Sequence, residues 1–197
     1  MCAVQPRPIA FVSTVDSLGR ANLAPFSFFT AGGANPPSVV YCPVLRPDGT
    51  PKDSLANAEA TGEFVVNMVT GDMAERMNIT ASEFAPDVDE FVVSGLTPLP
   101  SRIVRPPRIA ESPVHFECRV SKVIRLGDGP SGTVYVIGVV EMMHIDIGLW
   151  KEGSFEPGDF RGLGRMGGRE YVDLAEMEIF EMARPKVAPQ SSGEGSE

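Results

Sequence analysis

Short runs of apolar and β-branched residues are separated along the chain by turns rich in glycine, proline and aspartate. Short runs between turn signals are typical of β-strands. The strands predicted in this way cover residues 7–15, 21–29, 39–45, 63–69, 114–126 and 133–147. The turn sequence DSLGR joins the first two strands and GDGPSG joins the last two, so each pair is predicted to form a hairpin.

Helices are predicted one at a time between these strands. The sequence KDSLANAEATG favours a helix that Asp53 or Ser54 caps at its N-terminus and that ends at Gly62. In GDMAERMNIT, Met73 and Met77 have helical spacing, whereas TAGGANPPS and ASEFAPDVDEFVVSGLTPLPS are predicted to be irregular. Because strands and helices do not alternate regularly, a parallel doubly wound sheet is disfavoured. The pattern predicts a mainly β fold, a closed or partly closed antiparallel β-barrel with a few helices.

The strand NLAPFSFFT departs from simple alternation of apolar and polar residues. One face would carry Leu23, Pro25, Ser27 and Phe29, and the other would carry Asn22, Ala24, Phe26 and Phe28. Neither face is uniformly apolar or polar. An aromatic-rich strand that contains proline is either an edge strand of a large core or the wall of a ligand site. Ser27 correspondingly either bonds to the backbone or faces a ligand that the aromatic rings flank.

The charge balance narrows the range of partners. The 17 basic and 26 acidic residues of the 197-residue chain give a net charge of -9, and the basic residues form no patch. Direct nucleic-acid binding is therefore not expected. No apolar run reaches membrane-spanning length, and the N-terminus lacks the features of a signal peptide. We expect one domain over residues 1–187, a disordered tail over residues 188–197, and a cytoplasmic location.

The cysteines and histidines argue against a disulfide framework and against a metal site. Cys2, Cys42 and Cys118 are widely spaced and form no CxxC pair. Only His115 and His144 could supply imidazole ligands, and His144 is expected to be a structural histidine rather than a base. No Ser-His-Asp, Cys-His or paired-carboxylate arrangement stands out, so a catalytic activity would depend on a cofactor.

Two further sequences suggest phosphate binding. GLGRMG satisfies the dinucleotide-binding pattern G-x-G-x-x-G, but no buried strand precedes it and little chain follows, so a Gly-rich loop is favoured. Lys52, Asp53 and Ser54 lie at a predicted helix N-terminus, where backbone N–H groups and the helix dipole suit a phosphate. Ordinary capping beside a solvated lysine explains the same three residues, and on local sequence alone it is the favoured interpretation.

Taken in order, several stretches resemble one known family. RPIAFVSTVDSLGRANLAPFSFF, NPPSVVYCPV and KDSLANAEATGEFVVNMV, followed by ESPVHFECRV, VIGVVEMMHID and LGRMGGREY, are similar to the flavin reductase-like, FMN-binding split-barrel family, which includes flavoredoxin-type proteins. The resemblance covers residues 6–185. It implies a six-stranded antiparallel Greek-key barrel that forms a homodimer, with FMN bound at or near the dimer interface.

The resemblance also implies a set of site residues. Those expected to contact FMN are Thr14, Asn22, Ala24, Pro25, Ser27, Phe28, Phe29, Lys52, Asp53 and Ser54. The last three of these would hold the phosphate or ribityl end of the flavin. Those considered as nicotinamide or lid contacts are His144, Arg165, Gly167 and Tyr171.

The activity implied by the resemblance is that of an FMN-dependent oxidoreductase, most concretely an NAD(P)H:flavin reductase with NADH or NADPH as electron donor. A second hypothesis is a flavoredoxin-type electron carrier without its own nicotinamide site, which exchanges electrons with a partner protein. A third is a barrel that binds no flavin and serves as an interaction module.

Overall fold

The computed structural model describes residues 2–183, except Pro86 and Asp128. Its strands are β1 Arg7–Pro8, β2 Ala10–Val15, β3 Ala21–Phe26, β4 Phe29–Ala34, β5 Pro37–Tyr41, β6 Glu63–Met68, β7 Pro98–Leu99, β8 Arg108–Ile109, β9 Val114–Leu126, β10 Thr133–Ile145, β11 Trp150–Lys151, β12 Ser154–Phe155, β13 Leu163–Arg165 and β14 Tyr171–Asp173. The α-helices are α1 Asp53–Thr61, α2 Ala74–Ile79 and α3 Glu90–Ser94. Single 3₁₀ turns cover Gly71–Met73, Ile147–Leu149, Pro157–Asp159 and Leu174–Glu176.

The main sheet is an antiparallel barrel with an opening between its edges. Its strand order is β3-β2-β6-β9-β10-β5-β4. The two edge strands, β3 and β4, follow each other in the chain and are joined only by Ser27 and Phe28. The sheet must therefore curl until its edges meet at this link. The mainly β prediction is confirmed, and the sheet has seven strands where six were expected.

The barrel interior is filled by aromatic and aliphatic side chains. Phe26 packs 5.3 Å from Tyr41 between ring centroids, and Tyr41 packs 5.1 Å from Phe64. Leu55 of α1 is fully buried against this cluster. Burying each of these side chains contributes about 1.5–3 kcal/mol relative to leaving it in water. The interior cluster therefore holds α1 firmly against the barrel.

A second apolar cluster covers the outer face of β2 and β3. Phe11 and Leu23 are buried there beneath Met73, Met77 and Phe91, which come from the helical segments. Every residue of β2 is consequently buried, on both faces of the sheet. This double burial explains why the first strand of the sequence is a continuous apolar run rather than an alternating one.

The helix ends follow the predicted signals in part. Gly62 follows α1 with φ of 71°, the left-handed conformation that favours glycine, so the predicted end of the helix is confirmed. The predicted cap by Asp53 or Ser54 is wrong, because Lys52 occupies the cap position and no side chain caps the helix. Helix α3 begins after Asp89, whose carboxylate accepts from the N–H groups of Phe91 and Val92, inside a stretch that was predicted to be irregular.

Two glycine-rich stretches form strands instead of the predicted loops. TAGGANPPS contains most of β4 and the start of β5, which pair as a hairpin. GLGRMG contains β13, which pairs with β1 and β14, so the dinucleotide-binding pattern has no strand–helix turn here. In both stretches, pairing with a neighbouring strand outweighs the local preference of glycine for turns.

The remaining expectations concern chain ends and membrane spans. The predicted tail, residues 188–197, lies outside the described part of the chain. Within that part, no helix is long and apolar enough to cross a membrane.

Candidate functional site

An open cleft of about 520 Å³ lies where the N-terminus of α1 faces β3. It brings together six of the residues that the resemblance implies, namely Asn22, Ala24, Pro25, Lys52, Asp53 and Ser54. Phe26, Arg46, Glu90 and the segment of residues 80–84 complete its lining. Three chain segments that are distant in sequence therefore meet in one cleft.

A second hollow adjoins the first and shares Pro25 and Ala81 with it. It is lined further by Ser27, Arg165 and Tyr171, which also belong to the implied set, together with Ile9 and Met77. We call the two hollows together the β3 cleft. It extends from Lys52 at the helix end to Tyr171 at the other end.

The helix end of the β3 cleft is suited to an anion. Helix α1 has no side-chain cap, so its first backbone N–H groups are available, and the positive end of its dipole faces the same way. Lys52 has no ion-pair partner in the part of the chain that the structure describes. Arg46 is engaged, because its Nη2 lies 2.8 Å from Oδ2 of Asp53 and its Nη1 donates to the Pro51 carbonyl. Lys52 is therefore the cation available for a ligand at this end.

The floor of the cleft is a buried polar network. The side-chain amide of Asn22 lies 3.0 Å from Oγ of Ser54, and the Leu23 N–H donates to Oε2 of Glu90 over 3.3 Å. With its amide oxygen toward Ser54, Asn22 also donates to Oε1 of Glu90 over 3.3 Å. Burial raises the pKa of Glu90, and the nearby carboxylates of Asp53 and Asp89 raise it further. The Ser54 hydroxyl is thus engaged inside the protein and supports Asn22.

The outer end of the cleft is formed by an arginine stacked on an aromatic ring. The guanidinium carbon of Arg165 lies 4.5 Å from the ring centroid of Tyr171. Arg165 also donates to the Tyr171 hydroxyl and to the carbonyl of Gly168. These contacts hold both side chains at the edge of the hollow that contains Ser27.

The phenylalanines of NLAPFSFFT divide between the interior and the surface. Phe26 is buried against Tyr41, and Phe29 packs against the same interior cluster. Phe28 points outward, is 38% exposed, and lies under the guanidinium of Arg7 at 5.5 Å. Only Phe26 borders the cleft, at its helix end. The structure therefore does not bring Phe28 or Phe29 into the cleft lining.

Thr14 and Gly167 also lie outside the cleft lining. Thr14 is fully buried, and its hydroxyl accepts from Nδ2 of Asn57 in α1 over 3.1 Å. Gly167 packs against the N-terminal segment, since a Cβ added to it would lie 3.1 Å from Cβ of Cys2. Thr14 therefore fixes α1 to β2, and Gly167 allows a close approach of two chain segments.

His144 belongs to a different cleft, which shares no lining residue with the β3 cleft. Its Nε2 lies 2.6 Å from Oε1 of Glu117, which is fully buried. Burial alone would raise the pKa of Glu117, but the N–H groups of Arg102, Ile103 and Val104 and the His144 ring outweigh burial and hold it below its usual value. His144 therefore bonds to a buried carboxylate in a cleft that is separate from the β3 cleft.

Sequence reasoning missed Arg46, Glu90 and the segment of residues 80–84. Arg46 lies in the loop before α1, where a basic residue close to a helix N-terminus is a weak signal for an anion site. Glu90 and residues 80–84 reach the cleft only through tertiary contacts and carry no local signal. Among the described residues, no group of His, Cys, Asp and Glu side chains is arranged to hold a metal ion.

Comparisons with known proteins agree on one family. Residues 3–159 match the family described as flavin reductase like domain. An uncharacterized protein of Halalkalibacterium halodurans is 37% identical over 188 residues, which cover 94% of this chain and 89% of that protein.

Two solved structures match over nearly the whole chain. Nitrilotriacetate monooxygenase component B of Bacillus cereus matches with a TM-score of 0.85 and 33% identity, over 91% of this chain and 89% of its own. A 2-nitrobenzoate 2-nitroreductase of Pseudomonas fluorescens matches with a TM-score of 0.81 and 31% identity, over 96% and 90% of the two chains. The fold and these matches agree, and the chain belongs to the flavin reductase-like split-barrel family.

Proposed function

We propose that this protein binds FMN in the β3 cleft and acts as an NAD(P)H-dependent oxidoreductase. The observation that carries the proposal is the cleft itself, which joins an uncapped helix N-terminus and Lys52 to an arginine–tyrosine pair along an edge strand. Membership of a flavin reductase-like family supports a flavin as the ligand. The anion-binding end supports FMN over riboflavin, because only FMN has a phosphate.

The residues present fit the phosphate and the ring system of such a ligand. Lys52 and the first N–H groups of α1 would hold the phosphate, and the engaged Arg46 would keep the nearby Asp53 carboxylate from repelling it. Ala24, Pro25 and Ser27 would border the ring system. A bound flavin supplies the hydride-accepting and electron-transferring chemistry, so no general base is required of the chain.

The polar network under the cleft would keep this arrangement rigid. Asn22, Ser54 and Glu90 are buried, and Asn22 bonds to both Ser54 and Glu90, which fixes the helix N-terminus relative to β3. A site that is preorganised in this way loses little conformational freedom on binding. We therefore expect these three residues to position the binding groups rather than to contact the reacting atoms.

We also propose that the functional form is a homodimer. The large apolar side chains of Met143, Ile147 and Trp150 are exposed in the single chain, which is consistent with a covered surface in an assembly. Light scattering of the purified protein tests this proposal, and a monomeric mass at micromolar concentration would contradict it.

The phosphate site is tested by comparing FMN and riboflavin binding to a Lys52→Ala variant. Loss of one charged hydrogen bond costs about 1.5–3 kcal/mol, so FMN affinity should fall about 10- to 150-fold while riboflavin affinity is unchanged. Lys122→Ala, at an exposed lysine of β9, is the matched control and should leave both affinities unchanged. Equal losses for the two flavins in Lys52→Ala would remove Lys52 from the phosphate site.

The electron donor is tested by adding NADH or NADPH to the flavin-loaded protein without oxygen. Rapid bleaching of the flavin absorbance with either nicotinamide is expected. No bleaching with both nicotinamides, in a protein that dithionite reduces, would favour the flavoredoxin-type carrier. A colourless protein that takes up no flavin would favour the interaction module.

A further inference from the structure

Glu90 is a buried acidic residue of the β3 cleft that no cation neutralises in the described part of the chain. It lines the helix end of the cleft, and only 8% of the residue is exposed. The Leu23 N–H donates to its Oε2 over 3.3 Å, and no lysine, arginine or histidine among the described residues pairs with it. Burial without a cationic partner favours the neutral form of a carboxyl group, so Glu90 is suited to hold a proton.

The charged groups around Glu90 act in the same direction. Burial raises the pKa of Glu90 most, and the carboxylates of Asp53 and Asp89 raise it further. The other charged residues that line the cleft or an adjoining hollow with Glu90 are Asp16, Arg20, Arg46, Lys52 and Glu83. Both arginines of this set are ion-paired with aspartates. An anion bound at the helix end would therefore add a further negative charge beside Glu90.

Asn22 links Glu90 to Ser54 and can do so in two ways. When Glu90 is ionised, the amide NH2 group donates to Oε1 of Glu90 over 3.3 Å, and the amide oxygen accepts from the Ser54 hydroxyl and the Leu23 N–H, each over 3.0 Å. When Glu90 is protonated, its O–H donates to the amide oxygen instead, and the NH2 group donates to Oγ of Ser54 over 3.0 Å. The second arrangement gives up the contact between Leu23 and Asn22, so it requires the protonated carboxyl.

The two arrangements differ in what Ser54 offers to the cleft. In the first, the hydroxyl proton of Ser54 is donated to Asn22 and is not available to a ligand. In the second, Ser54 accepts from Asn22, so its proton is free to bond to an anion in the cleft that Ser54 lines. Protonation of Glu90 thus removes a negative charge and adds a hydrogen-bond donor at the same end of the cleft.

We propose that Glu90 takes up a proton when the flavin phosphate binds at Lys52, and that Asn22 transmits this change to Ser54. The proton comes from solvent through the adjoining hollow of about 550 Å³, which Asn22 and Glu90 also line. The inference rests on the proposed function and adds a coupling between flavin binding and pH. Glu90 and Asn22 are positioning residues in this account, because they act through Ser54 and through charge.

The direction of the pH dependence follows from this coupling. The bound phosphate raises the pKa of Glu90 above its value in the free protein. FMN affinity is therefore highest below the pKa of the free protein and declines as pH rises through the pKa of the complex. Between the two pKa values the decline approaches tenfold per pH unit. Riboflavin has no phosphate, so its affinity should not decline in this way.

Glu90→Gln tests the proposal because glutamine imitates the protonated carboxyl. Its NH2 group can donate to Asn22 while its oxygen accepts from the Leu23 N–H. We expect the variant to bind FMN about tenfold more tightly than the unaltered protein at pH 8.5, which corresponds to a shift of one pKa unit, and the difference should vanish toward pH 5. Lower affinity for both flavins at every pH would show that Glu90 only supports the fold, and would overturn the inference.

Two further variants separate the coupling from general electrostatics. Glu83→Gln, at an exposed carboxylate of the same cleft, is the matched control and should keep the pH dependence of the unaltered protein. Ser54→Ala should lower FMN affinity about 2- to 10-fold at pH 5 and leave it unchanged at pH 8.5. Equal losses at the two pH values would overturn the part that Asn22 and Ser54 play in the coupling.

Proton uptake by the unaltered protein makes the test independent of variant folding. The heat of FMN binding at pH 7.5, measured by calorimetry in buffers of different ionisation enthalpy, gives the number of protons exchanged. The second pKa of a phosphate monoester is about 6, so FMN itself is almost fully ionised at this pH. Net proton uptake with FMN and none with riboflavin is expected. FMN binding without proton uptake would overturn the inference and leave the proposed function intact, whereas a protein that takes up no flavin would overturn both.

Discussion

Glu117→Gln is expected to lower the free energy of unfolding by about 2–4 kcal/mol at neutral pH. Oε1 of Glu117 accepts from the Arg102 N–H over 2.9 Å and lies 2.6 Å from Nε2 of His144. Oε2 accepts from the N–H groups of Ile103 and Val104 over 2.6 and 3.2 Å. One fully buried carboxylate thus anchors the loop before β8 to β9.

The magnitude follows from what an amide can replace. In the glutamine variant, the amide oxygen can still accept from the N–H groups of Ile103 and Val104. The amide NH2 group then faces the Arg102 N–H, which loses its acceptor. The His144 ring can accept a hydrogen bond from the same NH2 group. One buried N–H without a partner costs about 1–3 kcal/mol, and hydrogen bonds to a neutral oxygen are roughly half as strong as those to a carboxylate. The neutral amide also avoids the desolvation cost of burying a charge, and this gain offsets part of the loss. We therefore expect the free energy of unfolding to fall by no more than about 4 kcal/mol.

The same substitution changes the pH dependence of stability. Because the folded protein holds the pKa of Glu117 below its usual value, the unfolded chain takes up a proton first as pH falls. This stabilisation is present above the ordinary pKa of about 4.5 and is lost as pH falls through the folded pKa. Without Glu117, the decline of stability with acid should be shallower by up to about 1.4 kcal/mol per pH unit. Arg105 and Arg119 also hold the pKa of Glu63 low against the effect of its burial, so some acid sensitivity remains.

Urea unfolding followed by circular dichroism at pH 7, 5 and 4 measures both effects. Glu141→Gln, at an exposed position on the neighbouring strand β10, is the control and should change stability by less than about 0.5 kcal/mol. The account of Glu117 is refuted if its glutamine variant unfolds like the control at pH 7. It is also refuted if the two variants lose stability with the same slope below pH 5.

Two further substitutions test the barrel interior by the same urea assay. A Cβ added at Gly138 would lie 2.3 Å from Cζ of Phe64, so Gly138→Ala should destabilise the protein by about 1–3 kcal/mol. Gly158→Ala is the control, because the space around Gly158 is open, and it should not destabilise the protein. Equal losses of stability in the two variants would contradict the packing argument. The Tyr41 hydroxyl is buried without a hydrogen-bond partner among the described residues, so Tyr41→Phe should leave stability unchanged or raise it by about 1 kcal/mol, and a clear loss would show that the hydroxyl is satisfied.

The long regular elements could be predicted from the sequence because local signals and tertiary packing agree there. Strand β9 covers residues 114–126 as predicted, and β10 ends two residues earlier than expected. The hairpin of β4 and β5 was missed because its glycines read locally as a loop. A Cβ at Gly32 would lie 2.8 Å from Oγ of Ser38, at an irregularity in the pairing, so the glycine is required for a close approach within the strand pair.

The candidate site was predictable only where its residues lie close together in the sequence. Seven of the residues that the resemblance implies meet in the β3 cleft, and they come from two short segments: Asn22, Ala24, Pro25 and Ser27, and Lys52, Asp53 and Ser54. The role of Ser54 could not be predicted, because its hydroxyl is turned inward by a contact with Asn22, which is 32 residues away. Glu90 reaches the same network through α3, whose start depends on Asp89.

The strand NLAPFSFFT can be both an edge strand of the core and the wall of a cleft, the two explanations that its sequence left open. Within the described residues, strand β3 pairs only with β2, so its other side is the open edge of the barrel. An unpaired edge exposes N–H and C=O groups, and Pro25 has no N–H to leave without a partner. Leu23 packs beneath the helices and Phe26 fills the barrel, while Ala24 and Pro25 line the cleft along that edge. The side chains of β3 therefore meet three environments, the barrel interior, the outer apolar cluster and the cleft, although a strand has only two faces. For this reason its apolar and polar residues cannot follow a simple alternation.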